Sequence, residues 1–65
     1  MEETFKDRLI KENEELLEKL KKLHNFLNSE KVLDIEPLDF RLLEIQLNSM
    51  QTYSKILQIR IENLK

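Results

Sequence analysis

Residues Leu38 to Leu64 read LDFRLLEIQLNSMQTYSKILQIRIENL. At 100° per residue, Leu43, Leu47, Met50, Leu57, Ile61 and Leu64 fall on one apolar stripe at alternating four- and three-residue steps, interrupted at Ser54. A second stripe, Leu38, Leu42, Ile45, Ile56 and Ile59, lies beside it. Together they cover roughly two-thirds of a helix circumference, well beyond the ~100° that a one-sided surface helix needs. Four polar or amphipathic residues sit inside that sector: Gln46, Ser49, Tyr53 and Arg60. A helix apolar on two flanks needs two partners. A short chain supplies one; the other is a second copy or a different protein.

Upstream, Pro37 stands where a helix begins, since its missing N–H is not needed at the first position, and Asp39 adds a carboxylate to that turn. Before it, SEKVLDIE (Ser29 to Glu36) is a connector in which Glu30 to Leu33 form a short turn and Val32, Leu33 and Ile35 plug the core. Asn28 and Ser29 end an earlier helix. That helix opens at Glu2, Glu3 and Thr4, with Thr4 and Asp7 spaced as a capping box. Its seam is Phe5, Leu9, Leu16, Leu20, Leu23 and Leu27, with Asn13 completing the spacing as a register-setting polar residue. Two long helices joined by a short connector return antiparallel. The fold class is therefore all-α: an αα-hairpin assembling into an oligomeric helical bundle. One domain, 1–65, is expected, with helix 1 over about 4–27, connector 28–36 and helix 2 over about 37–64.

Composition points the same way. A chain of 65 residues is near the size at which one core is marginal without staples, and there is no Cys to supply them. Oligomerisation remains, with Leu42, Ile45, Met50, Ile56, Leu57, Ile59, Leu16, Leu20 and Leu23 as candidate core and oligomer contacts. Gly is absent and Pro occurs once, which favours long helices. The formal net charge of −2 gives no overall basic field for nucleic acid or an anionic membrane. Lys21, Lys22 and Lys31 are too few to change that expectation. No apolar run approaches the ~20 residues of a membrane span. The acidic N-terminal stretch lacks the pattern of a signal peptide, so a cytoplasmic location is expected.

The polar residues admit two readings each. On helix 1, Arg8, Glu12, Glu15 and Lys19 form a line ending near Phe26; Arg8–Glu12 and Glu15–Lys19 are i,i+4 pairs of an ordinary solvated face, or one edge of a site. Tyr53 can stack on a flat base or pack in a seam. Arg60 needs a carboxylate or a phosphate; in an antiparallel hairpin, Glu12 or Glu15 is the expected partner. Gln46 suits a base edge or a hydrogen bond between helices. His24 has neither a Cys nor a second His to share a metal, so no metal site is expected. With no Gly-rich phosphate loop, nucleophile motif or Glu-x-x-His pair, neither catalysis nor a cofactor is expected.

Helix 1 reads Phe5-x-x-Arg8-Leu9-x-x-Glu12-x-x-Glu15-Leu16-x-x-Lys19-Leu20-x-x-Leu23-x-x-Phe26-Leu27, and helix 2 Leu42-Leu43-x-x-Gln46-x-x-x-Met50-x-x-Tyr53-x-x-Ile56-Leu57-x-x-Arg60-Ile61. Over nearly its whole length the chain resembles a family of very small phage and prophage proteins related to a protein of crAss-like phages. Pro37 behind Glu36 departs from that pattern, where a Ser or Asp cap is common. In build the chain is also similar to the phage anti-CBASS and anti-Thoeris sponges, oligomers that hold host immune signalling nucleotides between subunits without cleaving them. The resemblance implies a viral anti-defence protein in the cytoplasm of the infected bacterium. It further implies a homo-oligomer (dimer, tetramer or higher) that sequesters a cyclic oligonucleotide or related signal. Tyr53 would then stack on a base, Arg60, Arg8 and Lys19 neutralise phosphates, Gln46 read a base edge, and Glu12 and Glu15 orient the cations. The other reading is a structural or adaptor coiled-coil module that binds a protein partner and no small ligand.

Overall fold

The computed structural model describes residues 3–64; Met1, Glu2 and Lys65 lie outside the described residues, and so does Glu2's expected part in opening the first helix. Two helices, α1 (Phe5–Leu27) and α2 (Pro37–Glu62), pack against each other as a hairpin. A five-residue 3₁₀ segment, Glu30–Asp34, joins them.

Each boundary has a local cause. The Thr4 hydroxyl accepts from the Asp7 N–H at 3.1 Å, and the Asp7 carboxylate accepts from the Thr4 N–H at 3.2 Å. This reciprocal box satisfies two donors that a helix start leaves free. It also holds the Asp7 carboxyl below its ordinary value, through the backbone and then the hydroxyl hydrogen bond of Thr4. At the other end, the Asn28 side-chain amide donates to the His24 carbonyl at 2.8 Å, and the Ser29 hydroxyl to the Phe26 carbonyl at 2.7 Å. The described chain turns back without any residue in the left-handed region, in keeping with a sequence that has no glycine. Pro37 occupies the start of α2, and Glu36 makes no side-chain cap there.

The shared seam is thin. Leu9 and Leu57 are its buried apolar residues, while Leu16, Leu20, Leu23, Leu43, Leu47, Met50 and Ile61 are half-buried. Val32 and Ile35 of the connector are half-buried too, but Leu33 is 81% exposed, against the expectation that it plugs the core. A 3₁₀ turn has three residues per turn, so Val32 and Ile35 eclipse on the inner edge and Leu33 points away. Phe5 is likewise 57% exposed at the open end of the seam.

Among the described residues, one side-chain hydrogen bond crosses the seam. The Ser54 hydroxyl donates to Asn13 Oδ1 at 2.8 Å and accepts from the Gln58 amide at 3.2 Å. This is the register-setting role expected of Asn13, and Ser54 proves to be its partner.

The molecule measures 46 × 21 × 14 Å, with a radius of gyration of 15.0 Å. A compact domain of this length would have about 11 Å. The thinnest dimension is little more than one helix diameter. One layer of two helices cannot bury both flanks of α2, and the second stripe lies open. Leu38, Leu42, Ile45, Ile56 and Ile59 are each 50% exposed or more.

Candidate functional site

The open stripe runs along α2 at 4-3 spacing: Leu38, Leu42, Ile45, Ser49, Thr52, Ile56, Ile59. Its six steps have the spacing of a heptad seam, in which Ser49 and Thr52 fall between two apolar ends. Those two side chains are small and polar, and the surface is notched there. A shallow groove of about 440 Å³, wide open to solvent, lies over them, lined by Ile45, Asn48, Ser49, Thr52, Tyr53 and Ile56. Ile45 and Ile56 bound it at its two ends, and Asn48, Ser49 and Thr52 bring an amide and two hydroxyls between them. All six residues belong to α2.

Tyr53 stands at the groove's edge, 43% exposed. Gln46 and Arg60 lie one heptad to either side of it, roughly 10 Å away along the axis at 1.5 Å per residue. This line separates the open stripe from the α1-facing seam. Gln46 is exposed and its amide points toward Met50 Sδ at 3.9 Å, a weak acceptor that leaves the amide free to bond elsewhere.

Arg60 does not meet Glu12 or Glu15. Its guanidinium carbon lies 5.8 Å from the centre of the Phe5 ring instead. Register explains the difference. Asn13 opposite Ser54 brings Arg60, six residues farther along α2, level with Asp7, and Glu12 lies about 7.5 Å beyond. The Asp7 carboxylate is already committed to Thr4. The ring face takes the cation, a contact worth about 0.5–1 kcal/mol where water still reaches it.

The contact with Phe5 also sets the side on which the helix-1 line lies. Arg8, Glu12, Glu15 and Lys19 precede the buried or half-buried Leu9, Asn13, Leu16 and Leu20 by one residue each, which turns them to the same side as Phe5. They therefore run along the face of the hairpin that carries Gln46, Tyr53 and Arg60. All four are exposed. Arg8 pairs with Glu3 at 3.6 Å, and neither expected i,i+4 pair is among the ion pairs of the described residues. The seven residues share a face but make no joint hydrogen-bond network among the described residues. The groove sits on the outer side of that line.

Ser49 and Tyr53 of the groove are among the polar residues that the sequence singles out; Asn48 and Thr52 are not. The signal in the sequence is the interruption of an otherwise apolar 4-3 stripe by two short hydroxyl side chains. Among the described residues no cluster of His, Asp or Glu could hold a metal ion, and no helix is long and apolar enough to cross a membrane.

A model of the Sequestin family matches residues 3–63, essentially the whole hairpin. The chain belongs to the Sequestin family. No curated protein and no solved structure matches it. The match spans both helices and the connector, so the polar line, the open stripe and the groove all fall within the Sequestin unit.

Proposed function

We propose that this Sequestin is a sponge: a self-associating helical hairpin of a phage or prophage that binds a host immune signalling nucleotide and keeps it from its receptor. A cyclic oligonucleotide or a related nucleotide is the ligand class. The family name supports sequestration, and a sequestering protein holds its ligand without cleaving it. The crAss-like phage setting and the cytoplasm of the infected bacterium are part of this proposal.

The observation that carries it is the groove beside Tyr53. A flat base can stack on the exposed ring, with the Ser49 and Thr52 hydroxyls and the Asn48 amide in reach of its edge. Gln46 offers a donor and an acceptor along the same line. Arg60, Arg8 and Lys19 supply charge on that face for phosphates, with Glu12 and Glu15 beside them on the same line. The exposed stripe supplies the assembly surface, for isolated apolar stripes of this length are costly in water.

A thermal-shift panel of cyclic di- and oligonucleotides and ADP-ribose derivatives tests the reading. One ligand class should raise the melting temperature by several degrees, because a ligand at 100 times its Kd stabilises by about 2.7 kcal/mol. No response across the panel would leave an adaptor module that binds a protein as the better account.

A further inference from the structure

From Leu42 to Ile59 the open stripe of α2 is a palindrome. Leu42 and Ile59, Ile45 and Ile56, and Ser49 and Thr52 are each placed symmetrically about the midpoint between Met50 and Gln51. We infer that α2 pairs antiparallel with α2 of a second copy about a two-fold axis at that midpoint, and that the groove is half of a composite site completed by the partner's Tyr53, Gln46 and Lys55. The inference deepens the self-associating sponge by giving it a geometry.

Three observations converge on a second copy as the occupant. Layer by layer, antiparallel pairing sets Leu42 on the partner's Ile59 and Ile45 on the partner's Ile56, so the four apolar residues of the central layers meet one another, while Leu38 lies beyond them at the level of the partner's Asn63. A surface complementary to itself is what a two-fold interface requires. The flanking charges agree as well. One flank of the stripe carries Arg41, Asn48, Lys55 and Glu62, the other Asp39, Gln46, Tyr53 and Arg60. In antiparallel pairing like flanks meet, bringing Arg41 beside the partner's Glu62 and Asp39 beside the partner's Arg60, each twice. Parallel pairing would instead put Lys55 beside the partner's Arg60, cation on cation. Last, the chain exposes 5636 Å². A compact monomer of 7.9 kDa exposes about 4,400 Å². The excess, about 1,200 Å², more than covers the ~800 Å² that each partner buries in a standard interface.

At the centre, the short Ser49 and Thr52 side chains of both copies face each other and leave the two grooves joined. The two Tyr53 rings then lie about 7.5 Å apart along the axis, each beside the partner's Gln46, with the two Lys55 ammonium groups on the opposite flank. A ligand with two equivalent halves, such as a cyclic dinucleotide, would meet the same residues at each end. One ligand per two chains follows.

The chain has no cysteine, so single-cysteine variants read the pairing directly, in nucleotide-free protein. Leu42→Cys and Ile59→Cys are prepared separately, checked for helicity by circular dichroism, and oxidised alone and mixed. Both positions are half-exposed in the hairpin, which tolerates the change. The expected result is a dimer by sedimentation equilibrium, with the disulfide formed at least several-fold more in the mixture than in either variant alone. Self-disulfides in the single variants without the mixed product would show a parallel dimer and overturn the inference. A monomer at every concentration, or a dimer that no combination cross-links, would overturn it too. Because no nucleotide is present, a cross-linked dimer that later fails the nucleotide panel would sink the sponge and not the pairing.

Discussion

The Ser54 hydroxyl reaches Asn13 Oδ1 at 2.8 Å in the seam between the helices, both residues buried. No buried side-chain polar atom among the described residues lacks a partner. The pair adds little net stability, since both groups left water to form it, but it fixes which residues of α1 and α2 are level.

Removing one member should therefore cost more than removing both. Ser54→Ala strands the Asn13 amide and should destabilise by about 1–3 kcal/mol. Asn13→Leu with Ser54→Ala should lose less than the sum of the two single changes. Urea unfolding at fixed protein concentration measures this double-mutant cycle, and additive costs would mean that the bond does not couple the helices.

The start of α1 has its own dependence on pH. The folded Asp7 carboxyl titrates below its ordinary 3.8, so its contribution is fully present above that value and is lost as pH falls through the lower folded value. Fraying of the first turn on the acid side of 3.8, followed by the amide signals of Thr4 and Asp7 in NMR, is the expected outcome. Asp7→Asn should abolish that acid transition. Thr4→Ala should destabilise the helix start by roughly 1 kcal/mol at neutral pH.

Tyr53 and Arg60 separate binding from folding. Tyr53→Ala removes the stacking platform and should weaken nucleotide binding about 10- to 100-fold, the range that one base stacked on an aromatic ring contributes. Arg60→Met removes a half-solvated contact with Phe5 and, in the paired form, an exposed ion pair with the partner's Asp39, so stability should fall by no more than about 2 kcal/mol while ligand affinity drops at least tenfold. Isothermal titration and thermal unfolding on the same samples read both quantities. If both variants bind as the parent does, the polar line is not the ligand site.

Charge reversal tests the flanks of the α2 pairing. Arg41→Glu faces the partner's Glu62 and should weaken the dimer several-fold at low salt, with the loss shrinking as salt screens it. Adding Glu62→Arg should restore the dimer. Sedimentation at two ionic strengths distinguishes this from a surface change without consequence, which would leave all three proteins alike.

The hairpin itself was legible because its signals are local and mutually consistent. Helical spacing, the Thr4–Asp7 box, Asn28 and Pro37 place α1 and α2 within about two residues of where they lie. Excess apolar surface on α2 was equally visible, and Leu38, Leu42, Ile45, Ile56 and Ile59 are open as that excess demands. What depended on register was not. Arg60 finds the Phe5 ring rather than a carboxylate because the Asn13–Ser54 bond sets the offset between the helices, and periodicity within one helix carries no information about that offset. The groove was missed for a different reason. Ser49 stands out as a polar residue in the apolar sector, but periodicity gives Asn48 and Thr52 no such mark and says nothing of the hollow above them. Leu33 went astray because 3₁₀ geometry, not an α-turn, orients the connector.

Sequestration makes one demand that no scaffold or adaptor shares: the ligand must come back unchanged. Native mass spectrometry of the protein mixed with a cyclic dinucleotide panel, followed by denaturation and weighing of the released ligand, addresses it directly. An even-numbered oligomer retaining one intact nucleotide per two chains is expected, with the released mass equal to the mass added. An oligomer that retains no member of the panel, or one that releases a hydrolysed product, would contradict sequestration.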